Sequence, residues 1–232
     1  MKIFTENEKM VHLVQKNHNL LPVLNRFGIR LGFKDKTIGE ICKDTSINTS
    51  FFLAIVNTYN SPEYFPQDEL QSFSPLLIIQ YLKKTHQYYQ TYVLPKMEKQ
   101  LDLIIAGSGE NYKDLQLIDA FYKKYKEELL NHIQDEETHV FPYVENLVHH
   151  PGKWKGAFKI MDFEKQHTNV EMQINDLKNL IIKYLNPVYN DNDCNEFLTT
   201  VFNFEKDITD HARIEDAILV PQVMKLEKEL AG

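Results

Sequence analysis

The chain has 232 residues, of which 43% are apolar and 25% charged, as expected of a globular protein with one sizeable core. Its net charge of -7 argues against general binding to nucleic acid or to an anionic membrane. No apolar run is long enough to cross a bilayer, and the first residues lack the apolar centre of a signal peptide, so we expect a cytoplasmic protein without membrane contact. Cys42 and Cys194 agree with a reducing compartment and cannot form a metal site by themselves.

Residues 1–60 predict a small helical N-terminal domain. Residues 7–24 carry apolar side chains at helical spacing. Thr37-Ile-Gly-Glu40 has the form of a capping box, and Asn48 or Thr49 can cap the helix that follows. The predicted shape of this domain is therefore helix, turn, helix.

This shape raises the alternative of a DNA-reading helix-turn-helix over residues 37–57. No Lys or Arg occurs between Lys43 and Lys83, however, and contacts to phosphate need such side chains. We therefore expect the N-terminal domain to pack on the rest of the chain or on a partner, and we expect no nucleic-acid binding.

Residues 61–75 predict a linker, and residues 76–232 predict four long helices. Pro75 suits the first turn of a helix, whereas Pro95 should kink one. In every helix the apolar residues recur in steps of three and four, as in helices that face a bundle core. The predicted inward stripes are Ile79, Leu82, His86, Tyr89, Val93 and Met97; Ile118, Phe121, Tyr125, Glu128, His132 and Glu136; Ile160, Phe163, His167, Val170, Ile174, Leu177 and Ile181; and Phe197, Val201, Phe204, Ile208, His211, Glu215 and Ile218.

One motif occurs twice, as His132-Ile-Gln-Asp-Glu136 and as His211-Ala-Arg-Ile-Glu215. In both copies a glutamate follows the histidine by four residues and a proline follows it by ten. A step of four residues places His and Glu on one face of a helix. A single copy would indicate a solvated ion pair, but the repeat with its proline favours a shared function.

Each predicted stripe contains one histidine, namely His86, His132, His167 and His211. A lone buried histidine is usually a satisfied core residue. Four of them with Glu136 and Glu215 at one level of a bundle would cost several kcal/mol per uncompensated group, a cost that a metal centre removes. Imidazole and carboxylate ligands suit iron, without excluding manganese or zinc.

These residues resemble the ligands of hemerythrin-like di-iron domains, and the resemblance covers residues 75–232. With the helical domain in front, the whole chain resembles the iron-sulfur cluster repair di-iron proteins, the Repair of Iron Centers family. The resemblance implies an all-α protein, a hemerythrin-like up-down four-helix bundle behind a small helical domain. It also implies two iron ions bridged by carboxylates and an oxo or hydroxo group, with Glu136 and Glu215 bridging and the four histidines as terminal ligands. One position on each iron would remain for oxygen or nitric oxide.

The chain departs from the repair family in its N-terminal domain. That family carries a Cys-Cys pair where this chain has Gly32-Phe33. Any repair chemistry that needs the thiol pair is therefore in question here, whereas the di-iron centre is not. Cys42 lies in an apolar helix and is most simply a core residue.

Several further residues are candidates for a role near the metals. Glu128 lies one turn before His132 and is a candidate for a carboxylate that supports a ligand or lines an access channel. His139 and Glu171 are further candidates. A ferritin-like ligand set built on Glu136-x-x-His139 and Glu164-x-x-His167 is the rival, but that fold needs these motifs on alternate helices.

Three functions stay open at this point. The first is iron-sulfur cluster repair under stress, with iron-sulfur proteins as partners. The second is a binding or sensing module for oxygen or nitric oxide, which the missing cysteine pair favours. The third is a structural bundle without metal. A homodimer is compatible with each of them, and the sequence does not decide whether the protein is an enzyme.

Overall fold

The computed structural model describes residues 3–61, 63–108, 113–150, 160, 167–185 and 189–231, with the backbone alone described at 113, 167–171 and 231. All regular elements in these ranges are helical. The helices are α1 (Met10–Lys16), α2 (Leu21–Arg26), α3 (Ile38–Asp44), α4 (Thr49–Asn60), α5 (Gln67–Leu70), α6 (Pro75–Tyr88), α7 (Leu94–Gly107), α8 (Lys113–Asp135), α9 (Phe141–His149), α10 (His167–Tyr184), α11 (Asp191–Ile214) and α12 (Val220–Ala231). A short 3-10 helix, His18–Leu20, joins α1 to α2.

The predicted helix starts at Thr37, Asn48 and Pro75 are confirmed, whereas the helical pattern predicted over residues 7–24 begins at Met10 and is broken at the extended Asn17. Thr37 and Glu40 form the reciprocal capping box at α3, and the Asn48 side chain accepts a hydrogen bond from the N–H of Phe51 at α4. The first bundle helix begins at Pro75, capped by Ser74. Local sequence signals therefore set the entry points of these helices.

Four long helical rods form the bundle, and together they confirm the predicted all-α architecture. The rods are α6–α7, α8–α9, α10 and α11–α12. The α11 helix packs against α7 and α10, and α8 packs against α10 and α7. Because α6 contacts α9 whereas α7 contacts α8, the first and second rods are antiparallel. Among the described residues, no helix has both the length and the apolar character needed to cross a membrane.

Three of the rods contain a π-helical segment, in which the helix widens by one residue. These segments are Tyr89–Val93, Glu136–Val140 and Glu215–Leu219. Each segment ends two residues before a proline, namely Pro95, Pro142 or Pro221. Proline has no N–H to donate to the carbonyl four residues before it. In each of these rods the N–H of the residue before the proline instead donates to the carbonyl five residues before that residue. The predicted kink at Pro95 is thus a π segment.

In the second rod the buried residues differ from the predicted inward stripe at two positions. Phe121 and Glu128 were placed on the inner face, but both are only partly buried, whereas their neighbours Tyr122 and Leu129 are fully buried. The observed inward stripe is therefore shifted by one residue here, with Tyr122 and Leu129 in place of Phe121 and Glu128. The predicted stripes of the first and fourth rods are buried at every position.

The apolar interior consists of two clusters. One joins the N-terminal helices, including Phe51 and Phe52, to α6, α9 and α12, and the other fills the opposite half of the bundle around Tyr122 and Phe197. Because the first cluster runs across residue 60, the N-terminal helices share a core with the bundle. The division into residues 1–60, 61–75 and 76–232 stays a prediction, although α4 does end at Asn60 and α6 does begin at Pro75.

The α4 helix is buried on most of its surface, because eight of its residues are buried, from Phe51 to Tyr59 with the exception of Leu53. A helix that reads DNA must expose one face to the groove. The α4 helix instead packs against α3, α11 and α5.

Candidate metal centre

A layer of polar side chains lies between the two apolar clusters. Each of three rods passes from one cluster to the other along its length. The passage lies between Leu82 and Tyr89 in the first rod, between Ile133 and Val140 in the second, and between Ile208 and Ile214 in the fourth. The residues at these three changeovers are His86, Glu136 and His211, with Glu215 following. The sequence therefore interrupts an otherwise continuous core at one level.

His86, Glu136, His211 and Glu215 are all buried, and one ligand atom of each lies within 4.8 Å of all the others. Helix geometry brings them together: the four-residue step aligns each histidine with its glutamate on one helix face. The Nε2 atom of His211 lies 3.1 Å from Oε1 of Glu215. The predicted pairing within the repeated motif is present in both copies, since Nε2 of His132 lies 3.3 Å from Oε1 of Glu136.

Glu136 occupies the centre of this arrangement. One of its carboxylate oxygens lies 3.1 Å from Nε2 of His86, while the other faces Nε2 of His132. A carboxylate with one oxygen directed at each of two histidines has the disposition of a bridging ligand. Glu215 is less symmetric, at 3.1 Å from Nε2 of His211 and 4.0 Å from that of His86.

His86 and His211 approach each other with their Nε2 atoms 3.2 Å apart. Two nitrogens that occupy adjacent octahedral positions at about 2.1 Å from one metal ion lie about 3.0 Å from each other. The observed separation therefore fits two imidazoles on the same ion. His132 lies on the far oxygen of Glu136, on the side away from His86.

Glu137 is a member of the site that the sequence did not reveal. Its Oε1 accepts a hydrogen bond at 3.1 Å from Nδ1 of His86, in the tautomer that leaves Nε2 free for a metal. The His86 ring also stacks on Phe141 with a centroid distance of 5.5 Å. These contacts fix the rotation of the imidazole and favour a proton on its Nδ1.

The buried carboxylates require a nearby positive charge. Burial by itself lowers the pKa of His86, but the hydrogen bonds to Glu136 and Glu137 and the charges of Glu136 and Glu215 together outweigh it and raise the pKa to about 9. In the metal-free protein a protonated His86 therefore balances part of the negative charge. A divalent cation would supply that charge directly and release the proton.

The remaining predicted site residues lie as follows. The His139 side chain is 66% exposed, and its Nδ1 is 2.8 Å from Asp135, outside the cluster. Glu128 accepts a hydrogen bond from Gln173 and lies 3.6 Å from Lys124, also outside the cluster. The side chains of His167 and Glu171, and Glu164 as a whole, fall outside the described residues; His167 is the first residue of α10.

The donor set fits a metal centre, because buried imidazoles and carboxylates converge without an intervening apolar side chain. Iron, manganese and zinc all bind imidazole and carboxylate ligands. Comparison with protein families gives a match to the hemerythrin HHE cation-binding domain over residues 77–223. Comparison with curated proteins gives no match. Since the matched region covers more than half of the chain, the protein belongs to the hemerythrin HHE cation-binding domain family.

Proposed function

We propose that this protein holds a non-haem di-iron centre and binds oxygen or nitric oxide at it. The observation that carries the proposal is the position of Glu136, whose two oxygens face His86 and His132. The chain's own residues would then hold the ions as two groups: His86 and His211 on one, and His132 on the other with His167 as its predicted partner. Glu136 and Glu215 would bridge the two, and iron would supply an open coordination position for the diatomic ligand.

The second candidate is iron-sulfur cluster repair in the cytoplasm, by reaction with nitric oxide or by donation of iron to damaged clusters. It is supported by the N-terminal helical domain in front of the bundle. The loop at Gly32-Phe33 supports the binding function instead, because Gly32 has a φ of 100° and Phe33 is buried. A cysteine at position 32 would be strained there, since L-residues rarely adopt that φ.

The test is metal analysis of protein purified without air, followed by visible spectra before and after oxygen and then nitric oxide. We expect about two iron ions per chain, as the two-centre arrangement of ligands requires, and a spectrum that each gas changes reversibly. The variant Glu136→Gln should lose iron, whereas His139→Ala should keep it because His139 is exposed. Iron-free wild-type protein with intact helicity would refute the proposal.

A separate assay distinguishes the two candidates. Under repair, the loaded protein would restore the activity of an iron-sulfur enzyme damaged by nitric oxide, and Glu136→Gln would not. Under reversible binding, iron would stay with the chain while the gas exchanges. Loss of iron to the damaged enzyme would therefore decide for repair.

A further inference from the structure

In the first rod, Tyr89 occupies the position that corresponds to Glu136 in the second rod and to Glu215 in the fourth. Tyr89, Glu136 and Glu215 are each the first residue of a π-helical segment, and each lies six residues before the proline that follows it. The three rods thus present the same local geometry with different side chains. In the first rod a phenol therefore stands where the other two rods carry a carboxylate, at the border between the polar layer and the second apolar cluster.

Tyr89 is 1% exposed, and its ring lies edge-on to that of His211 at a centroid distance of 5.7 Å. Phe204 also lies edge-on to the ring at 5.1 Å, and the Arg26 guanidinium lies 5.7 Å from its centroid. The phenol hydroxyl has no hydrogen-bond partner among the described residues. Burial of an unsatisfied hydroxyl is unfavourable, so this group is expected to have a partner beyond the described side chains.

Burial raises the pKa of the Tyr89 phenol, and the carboxylates of Asp207 and Glu215 raise it further, so the phenol lies within electrostatic reach of Glu215 in the metal layer as well as of Asp207. Side chains on a helix tilt toward its N-terminus, so Tyr89 leans toward the level of His86. Tyr125 is the contrasting case, because it is also 1% exposed and its hydroxyl also lacks a described partner. Tyr125 precedes His132 by seven residues, so it leans away from the layer.

We propose that the Tyr89 hydroxyl donates a hydrogen bond to the exogenous ligand bound at the metal centre. Such a donor would stabilise a small ligand that carries negative charge, and it would favour anionic or reduced diatomic ligands over neutral ones. Tyr89 would then set which ligands the centre retains and for how long. This inference rests on the proposed di-iron centre.

The experiment uses azide as the probe on the iron-loaded full chain, with wild type, Tyr89→Phe and Tyr125→Phe compared. We expect Tyr89→Phe to keep its iron and to bind azide about tenfold more weakly, the loss that one hydrogen bond of about 1.4 kcal/mol produces. Tyr125→Phe removes an equally buried hydroxyl from the same bundle and should leave azide affinity unchanged.

A second measurement detects the hydrogen bond itself rather than its effect on affinity. The infrared stretch of azide bound to wild-type protein should shift after full exchange into deuterated water, since the donor hydrogen is replaced. That shift should be reduced in Tyr89→Phe and kept in Tyr125→Phe. Equal azide affinity and equal isotope shift in wild type and Tyr89→Phe would overturn the inference while leaving the di-iron centre intact. Wild-type protein that takes up no iron would overturn both.

Discussion

Arg26 of α2 and Asp207 of α11 form a bidentate ion pair between the N-terminal helices and the rod that carries His211. Nη1 of Arg26 lies 2.9 Å from Oδ1 of Asp207, and Nη2 bonds the other oxygen. Arg26 also donates to the hydroxyls of Tyr59 and Tyr81, at 3.3 and 3.2 Å. Burial alone would lower the pKa of Arg26, but Asp207 and the nearby tyrosines Tyr81, Tyr59 and Tyr89 together outweigh it and keep the guanidinium charged. Asp207 lies one helical turn before His211, so the N-terminal domain is tied to the candidate centre.

Removal of Arg26 should destabilise the protein strongly. We expect Arg26→Met to lower the free energy of unfolding by about 3–5 kcal/mol, because Asp207 is left largely buried without its cation. Urea unfolding followed by far-UV circular dichroism would measure the change. The double variant Arg26→Met/Asp207→Leu should recover much of the loss, since neither charge is then buried.

The ion pair of Lys9 with Asp35 supplies the control. Its N to O distance is 2.7 Å, but the side chains are 45% and 88% exposed. Exposed pairs contribute little because water screens them, so Lys9→Met should change stability much less than Arg26→Met. Equal effects of the two substitutions would contradict the role assigned to Arg26.

Gln67 of α5 and Gln71, the residue after that helix, compensate for a hydrogen bond that Pro221 cannot make. Because Pro221 has no N–H, the carbonyl of Ala217 accepts instead from the side-chain amides of Gln71 at 3.0 Å and Gln67 at 3.3 Å. The side chain of Gln222 returns hydrogen bonds to the carbonyls of Gln71 and Phe73, both at 2.8 Å. The segment before the bundle is thereby fixed to the π segment that starts at Glu215.

A double-mutant cycle tests this compensation. We expect Gln71→Leu to cost about 1–2 kcal/mol in the wild-type background, because the Ala217 carbonyl loses its better donor. The cost should be smaller in the Pro221→Ala background, where the backbone N–H at position 221 can serve that carbonyl. The same cost of Gln71→Leu in both backgrounds would show that proline and glutamine act independently.

The sequence was sufficient for features that depend on residue types at fixed local spacing. The capping box at Thr37, the start of α6 at Pro75 and the contact between each histidine and its glutamate all belong to this group. Helical geometry alone converts such spacings into contacts. The all-α fold follows from the same periodicity.

The features that the sequence did not reveal depend on packing between distant segments. Arg26 and Asp207 are 181 residues apart, and no local pattern links them. Glu137 follows Glu136 directly, and its contact with His86 exists only because α6 packs against α9. The buried face of α8 depends on packing for a related reason. Glu128 and Leu129 are adjacent, and the contacts with neighbouring rods determine which of the two faces inward.

Cys42 should behave as an inert core residue. It is fully buried, and burial raises the pKa of its thiol to about 11, although a hydrogen bond from Thr49 lowers it in part. We expect neither Cys42 nor the buried Cys194 to react with a thiol reagent at pH 8 in the folded protein, and both to react after denaturation. Rapid modification of Cys42 in the folded state would contradict this expectation.

The same thiol should make stability depend on pH. Its pKa is higher in the folded chain than in the unfolded chain, so its contribution is fully present below the unfolded value of about 9 and is lost as the pH rises toward 11. Free energies of unfolding should therefore fall between pH 9 and 11 more steeply in wild type than in Cys42→Ala. Other groups titrate in this range, and the comparison of the two slopes removes their contribution. Identical slopes would show that the Cys42 pKa is not raised.

Iron should stabilise the folded chain by binding at the His/Glu layer, since the unfolded chain does not bring these ligands together. At a free iron(II) concentration a hundredfold above Kd, binding adds about 2.7 kcal/mol, which raises Tm by about 5–10 °C for a domain of this size. We expect this rise in wild type and in His139→Ala, whose side chain is exposed.

Loss of a ligand should abolish the iron-dependent rise in Tm. In His132→Ala and Glu215→Gln we expect the Tm without iron to change by only a few degrees and the iron-dependent increment to disappear, because each removes a group that faces the layer. Differential scanning calorimetry under nitrogen, with and without iron(II), measures both quantities in one experiment. An undiminished increment in both variants would mean that iron stabilises the chain from elsewhere, and the assignment of His132 and Glu215 as ligands would then be wrong.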